Sequence, residues 1–186
     1  MIAGAAGGLA LVAPKGGAAR PTTDRVKESV FGALGPDRLV DASVLDLYAG
    51  SGALAIEALS RGAARAVLVD RDHAAVTAIR RNLATTHLRG HARVQGSTVA
   101  TFLAGRPPAE RPFDLVFLDP PYVVSSAELA RVLSGLDRSR WLAEGATVVV
   151  ERPSVAEPAP APDVWKATWE RAYGDTLVTV LTTLTG

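Results

Sequence analysis

The sequence predicts an α/β fold: a doubly wound, mostly parallel seven-stranded sheet with helices on both faces. Three observations carry this. Short apolar runs alternate with helix-period stretches from Ala42 to Glu151. Two spaced glycines, Gly50 and Gly52, directly follow the first of those runs. Past a proline-rich stretch, two more strand-like runs are joined at "YGD", the pattern of an antiparallel hairpin that closes the sheet.

The elements follow in order. "AGAAGGLALVAPKG" is expected to form a glycine-rich hairpin. "RPTTDRVKESVFGALG" reads as a helix with Thr22 or Thr23 as N-cap and Val26, Val30, Phe31 and Leu34 on one face. Then come a strand at 43–48, a helix at 53–62 stopped by Gly62, a strand at 65–70 and a long helix at 73–88. A short strand at 92–95, a helix at 98–104, a strand at 113–119, a helix at 127–136 and a strand at 146–151 complete the alternation. "RPSVAEPAPAP" (152–162) is a surface connection, and the terminal hairpin follows it. The division is an N-terminal extension, 1–40, and a main domain, 41–186.

With 186 residues, 48% of them hydrophobic, the chain can bury one core without staples. It has no cysteine, which excludes disulfides, thiolate metal sites and cysteine nucleophiles. Its three histidines, His73, His87 and His91, show no metal-ligand spacing, so no metal is expected. No apolar segment reaches the length of about 18 residues that spans a bilayer, and the apolar opening lacks a basic leader. No membrane association and a cytoplasmic location are therefore expected. The formal net charge of +1 neither supports nor excludes a polyanionic partner.

"LDLYAGSGALA" is a strand, a glycine loop and a helix, placed where doubly wound sheets bind ligands, outside the carboxyl ends of the strands. Gly50 and Gly52 let the backbone turn sharply and approach a ligand. Gly50, Gly52 and Ala55 also satisfy the dinucleotide fingerprint, with Asp70 where a ribose-binding acid belongs, so NAD is a rival. Asp46 counts against it, because a carboxylate inside the strand sits poorly beside a pyrophosphate. S-adenosylmethionine fits better, having no phosphate and a cationic amino-acid end. Asp46 would hold its ammonium, Gly50 and Gly52 would bring amides to the methionyl part, and Asp70 would accept both ribose hydroxyls. Tyr48 and Ser51 of the same loop, Arg71 next to Asp70 and Ser97 after the third strand join the cofactor-side candidates. The alternative for Asp70 is an acid ahead of a helix N-terminus.

"FDLVFLDPPYVVSS" ends an apolar strand in Asp119, Pro120, Pro121 and Tyr122, on the same edge as the glycine loop. Prolines fix φ and supply no competing donor, so carbonyls are left free. Those carbonyls and one carboxylate suit an exocyclic amine held by its hydrogens, and Tyr122 offers a flat face for a planar base. All four are candidates for the catalytic segment.

"DPPY" with "DLYAGSGALAIEALSRGA" resembles the S-adenosylmethionine-dependent methyltransferases of exocyclic base nitrogens. "RPTTDRVKESVFGALG" and "YGDT" extend the resemblance, over nearly the whole length, to the RsmD family of bacterial 16S ribosomal RNA guanine-N2 methyltransferases. The resemblance implies a Rossmann-like class I methyltransferase with a reversed terminal hairpin and an RNA-contacting N-terminal extension. It also implies cofactor positions at Asp46, Gly50, Gly52 and Asp70, and a base pocket at Asp119, Pro120 and Tyr122. Arg20, Thr22, Thr23, Arg25 and Lys27 match the family's N-terminal motif near the RNA. The partner implied is 16S ribosomal RNA, within small-subunit assembly particles, for a monomeric enzyme. The chain departs from the family twice. Ser97 stands where many members carry an acid, and no charged side chain precedes Lys15. Arg80, Arg81, Arg89 and Arg93 either form a further RNA face or solvate a helix. A same-fold DNA adenine-N6 or protein-glutamine methyltransferase, an oxidoreductase and a non-enzymatic RNA-binding module are the rivals.

Overall fold

The computed structural model describes residues 1–14, 24–107, 112–138, 140–156 and 159–183. After a 3-10 turn at Gly4–Ala6 comes α1 (Asp24–Leu34), then β1 (Ser43–Leu47), α2 (Ala53–Ser60), β2 (Arg65–Asp70) and α3 (His73–Thr85). The alternation continues through β3 (Ala92–Gly96), α4 (Val99–Leu103), β4 (Phe113–Leu118), α5 (Ser126–Arg138) and β5 (Leu142–Pro153). The last two strands are β6 (Trp165–Tyr173) and β7 (Thr176–Thr183). All seven strands join one sheet in the order β3-β2-β1-β4-β5-β7-β6. The first five in that order are parallel; β7 runs antiparallel to β5, and β6 antiparallel to β7. The doubly wound sheet and its terminal hairpin are thus those the sequence predicts.

Every residue of β1 is buried, because helices cover both sides of it. Successive side chains point to opposite faces, so Val44 and Leu45 enter different cores. Val44 packs with Leu68, Phe117, Phe31 of α1, Ile56 of α2 and Ile79 of α3. Leu45 packs with Val116, Val148 and the Leu129 and Leu133 stripe of α5. Trp141 closes the second core, stacked on Phe113 at 6.3 Å between ring centroids.

Three details differ from the sequence-based expectation. Residues 1–14 form the 3-10 turn and irregular chain, with no strand among them, where a hairpin was expected. Side chains rather than a ladder hold this segment: Glu57 accepts from the amides of Ile2 and Ala3 at 2.9 and 3.0 Å, and Ser60 Oγ from that of Ala6 at 2.8 Å. Helix α3 ends at Thr85, because His87 takes a left-handed φ of 59° and Leu88 N closes back on Leu83 O. Strand β5 is longer than 146–151, since β7 pairs it out to Pro153. The predicted N-caps Thr22 and Thr23 lie outside the described residues. Helix α1 shares the first core and is tied to β6 by a hydrogen bond between the hydroxyls of Ser29 and Tyr173.

Candidate active site

The order β2-β1-β4-β5 reverses chain direction of travel between β1 and β4, which makes the carboxyl ends of those strands the topological switch point. Leu47 and Leu118 are ladder partners. Tyr48 and Asp119 therefore leave the sheet on adjacent strands, about 5 Å apart at the backbone. The glycine loop and the DPPY segment meet at one edge because this register puts them there.

Asp46 sits inside β1, 2% exposed, with Leu68 and Phe117 as its ladder neighbours. Its Oδ2 accepts from Ala55 N in the first turn of α2 at 3.2 Å. Burial pushes its pKa well above the usual carboxylate range; that single backbone donor works the other way, and the nearby charges of Asp119 and Asp70 add to the rise. Three carboxylates thus converge at the switch point, a region of negative potential suited to a cation.

The loop between Asp46 and α2 is held at several points. Ala49 N bonds Val69 O at 3.1 Å, Gly50 N bonds Asp70 Oδ2 at 2.8 Å, and Gly52 N bonds Ala49 O at 2.7 Å. Gly52 has a φ of 76°, and a Cβ there would lie 2.8 Å from Leu68 Cδ2 and 3.3 Å from both Ile56 Cδ1 and Ile79 Cγ1. Gly50 also has a positive φ, but a Cβ on it would enter nearly open space. The first glycine thus faces open space and the second the core. Tyr48 holds a left-handed φ of 62°, unusual for a residue with a side chain, and its phenol is pushed above its ordinary pKa mainly by burial, with Glu128 adding to the effect.

Asp70 accepts from two amides: that of Gly50 and, through Oδ1, that of Asp72 at 2.9 Å. The helix-capping role that the sequence left open for Asp70 belongs instead to Asp72, whose carboxylate accepts from Ala74 N at 2.7 Å. Arg71 is exposed beside it. Ser97 donates its amide to Asp70 O at 3.1 Å, and its Oγ is shut off from solvent without a hydrogen-bond partner. A buried hydroxyl in that state costs about 1–3 kcal/mol until something satisfies it.

Beyond Asp119, Pro120 is buried, whereas Pro121 and Tyr122 are exposed, Tyr122 at 58%. Val124 N closes a turn on Pro121 O at 2.8 Å. Among the N-terminal candidates, Arg20, Thr22 and Thr23 lie outside the described residues, and Arg25 is exposed. Lys27 is buried, its Nζ paired with Asp24 at 2.7 Å, so it does not present a free cation to RNA. Arg80, Arg81, Arg89 and Arg93 are all exposed. Sequence reasoning missed Asn82, which is 1% exposed and bonds both the N-terminal segment and the glycine loop.

Among the described residues no group of three or more His, Cys, Asp or Glu is placed to hold a metal ion, and no helix is long and apolar enough to cross a membrane. A family model described as conserved hypothetical protein 95 matches residues 1–182. The small-subunit ribosomal RNA methyltransferase D of Escherichia coli K12 is 42% identical over 151 residues, covering 81% of this chain and 73% of its own.

The chain belongs to the RsmD family. Members are S-adenosylmethionine-dependent ribosomal RNA methyltransferases. The RsmD protein of Haemophilus influenzae, under the same name, is 36% identical over 157 residues, which is 83% of this chain and 78% of that one. Among solved structures, Escherichia coli yhhF, provisionally described as a methyltransferase, has a TM-score of 0.87 at 35% identity and covers 100% of this chain and 98% of its own.

The residues at the RsmD site fit the cofactor. A sulfonium that also carries an ammonium matches three convergent carboxylates, an open Gly50 admits the close approach, and Ser97 Oγ lacks a partner that a ligand amine would supply.

Proposed function

We propose that this RsmD-family chain methylates the exocyclic N2 amine of a guanine in 16S ribosomal RNA. One observation carries the reading: Leu47 and Leu118 are ladder partners, so Asp119 opens the DPPY segment directly beside the glycine loop. The segment that suits an amine and the segment that suits a methyl donor therefore share one edge.

S-adenosylmethionine, when bound, supplies an electrophilic methyl group on a sulfonium. Asp46 holds the ammonium, Gly50, Ser51 and Gly52 present backbone to the methionyl part, and Asp70 accepts from the ribose. Ser97, with Arg71 and Tyr48, lines the rest of that half. On the other half Tyr122 stacks on a guanine taken out of its helix. The carboxylate of Asp119 and the carbonyl of Pro120 accept the N2 hydrogens and aim the nitrogen. Pro121 fixes the turn. Most of the rate gain is positioning within attack distance, and Asp119 takes up the proton that leaves nitrogen.

RNA contact falls to the N-terminal motif of Arg20, Thr22, Thr23 and Arg25, while Lys27 holds Asp24 in the first turn of α1. The enzyme works as a cytoplasmic monomer on small-subunit assembly particles. The test is in vitro methylation of unmodified small-subunit particles, with mass spectrometry of the modified nucleoside. N2-methylguanosine is expected, and N6-methyladenosine would overturn the assignment. Asp119→Ala should lower the single-turnover rate about 10³-fold. A rate near that of the parent would sink the role given to Asp119.

A further inference from the structure

The first dozen residues raise a separate question. They carry no charged side chain, yet buried polar groups hold them in place. Glu57 and Ser60 of α2 take the beginning of the segment, and Ser60 Oγ also donates to Ala3 O at 2.6 Å. Asn82 of α3 takes its far end. Asn82 Oδ1 accepts from Val12 N at 2.8 Å, and Nδ2 donates to Val12 O and to Ser51 O, both at 2.9 Å. One amide orientation satisfies all three bonds, so the side chain is fixed.

We propose that Asn82 is a positioning residue for the cofactor, tying the strap of residues 1–12 to the glycine loop. The inference rests on the seat proposed above for S-adenosylmethionine. The peptide between Ser51 and Gly52 is gripped at both ends: its carbonyl by Asn82 and its N–H by Ala49 O. Turning that peptide would break both bonds while Gly52 stays wedged against Leu68. The strap bonds α2 through Glu57 and Ser60 and α3 through Asn82, and the same Asn82 holds the glycine loop at Ser51 O. In this chain the strap serves the methyl donor rather than the RNA.

The plain alternative is that Asn82 only satisfies buried polar atoms and supports stability. Calorimetric titration with S-adenosylmethionine separates the two, done well below the unfolding temperature on Asn82→Ala, Asn82→Asp and Val12→Pro. Val12→Pro removes the strap's donor and leaves α3 untouched, so it serves if the Asn82 variants fold poorly. The expected result is a Kd raised about tenfold in the Asn82 variants, the size of one lost buried hydrogen bond, and raised less in Val12→Pro. Hydrogen exchange at the Gly52 amide should quicken with that at Val12. In turnover the KM for S-adenosylmethionine should rise, with the KM for RNA and kcat at saturating cofactor within twofold. Folded variants that bind within twofold of the parent would overturn the proposal. Asp46→Asn in the same titration tells which idea has failed. If it binds weakly while the Asn82 variants bind normally, the positioning role alone is wrong. If it too binds normally, the cofactor seat is wrong and the positioning role falls with it.

Discussion

The two halves of the site are built differently. On the β1–β2 side, Asp46 is buried, Gly50 is tied to Asp70, Gly52 is packed on Leu68 and the Ser51–Gly52 peptide is held at both ends. On the β4 side, the chain past buried Pro120 turns out to solvent, with Tyr122 at 58% and Val123 at 84% exposure. The first half is finished by the protein itself. The second presents an aromatic face and an apolar side chain to water. A small donor common to every turnover suits a rigid seat, whereas a base arriving on a large RNA needs an accessible one.

The sharpest way to break this comparison is Asp46→Asn. Cofactor affinity should fall about 10- to 100-fold, as for loss of a charged hydrogen bond. The stability of the ligand-free protein should move the other way. Asp46 has a raised pKa when folded, so the folded chain holds a proton that the unfolded chain releases at ordinary carboxylate pH. Stability is therefore lost as pH rises from that range through the raised value, and the deficit persists above it. Thermal melts from pH 4 to pH 8 should show that slope in the parent and a flatter one in the Asn variant. The same titration makes cofactor binding tighten with rising pH.

On the open half, Tyr122→Ala removes a stacking face without disturbing the core. The KM for RNA should rise about tenfold, and the melting temperature and cofactor Kd should hold. A lowered melting temperature would mean that the segment is part of the packed structure after all.

The smallest effect sharpens the comparison within the glycine loop. Gly52→Ala should lower stability by about 1–3 kcal/mol, since its Cβ meets core side chains. Gly50→Ala meets nearly open space, so it should cost about 1 kcal/mol from its positive φ alone while still weakening cofactor binding. Equal losses of stability would contradict the assignment of one glycine to the ligand and the other to the core.

Much of this was legible in the residues. Apolar runs followed by glycines or by DPPY mark strand ends, and parallel strands with helical crossovers put those ends on one edge. The N-terminal segment was not legible, because a glycine-rich stretch announces flexibility without saying what it lies on. Its anchors did leave a signal. Asn82 falls on the buried stripe of α3, among Ala75, Ile79 and Leu83. Glu57 and Ser60 are buried polar residues in an otherwise apolar α2. A polar residue at an apolar-face position needs a partner, but periodicity cannot name it when the partner is backbone from 54 to 70 residues away. Lys27 was misleading for the same reason: a cation beside a recognisable motif invites a phosphate, while the fold gives it to Asp24.

The placement of β7 between β5 and β6 has a consequence for how the chain reaches this state. Strand β6 precedes β7 in sequence, yet its neighbour in the sheet is β7. It therefore has no edge to join until β7 exists. The short turn at Gly174 favours the two pairing first as a local hairpin, which then adds to β5 as one piece. The Ser29–Tyr173 bond then links α1 to that far edge. The far edge of the sheet is thus one local hairpin, joined to the parallel strands only through β7.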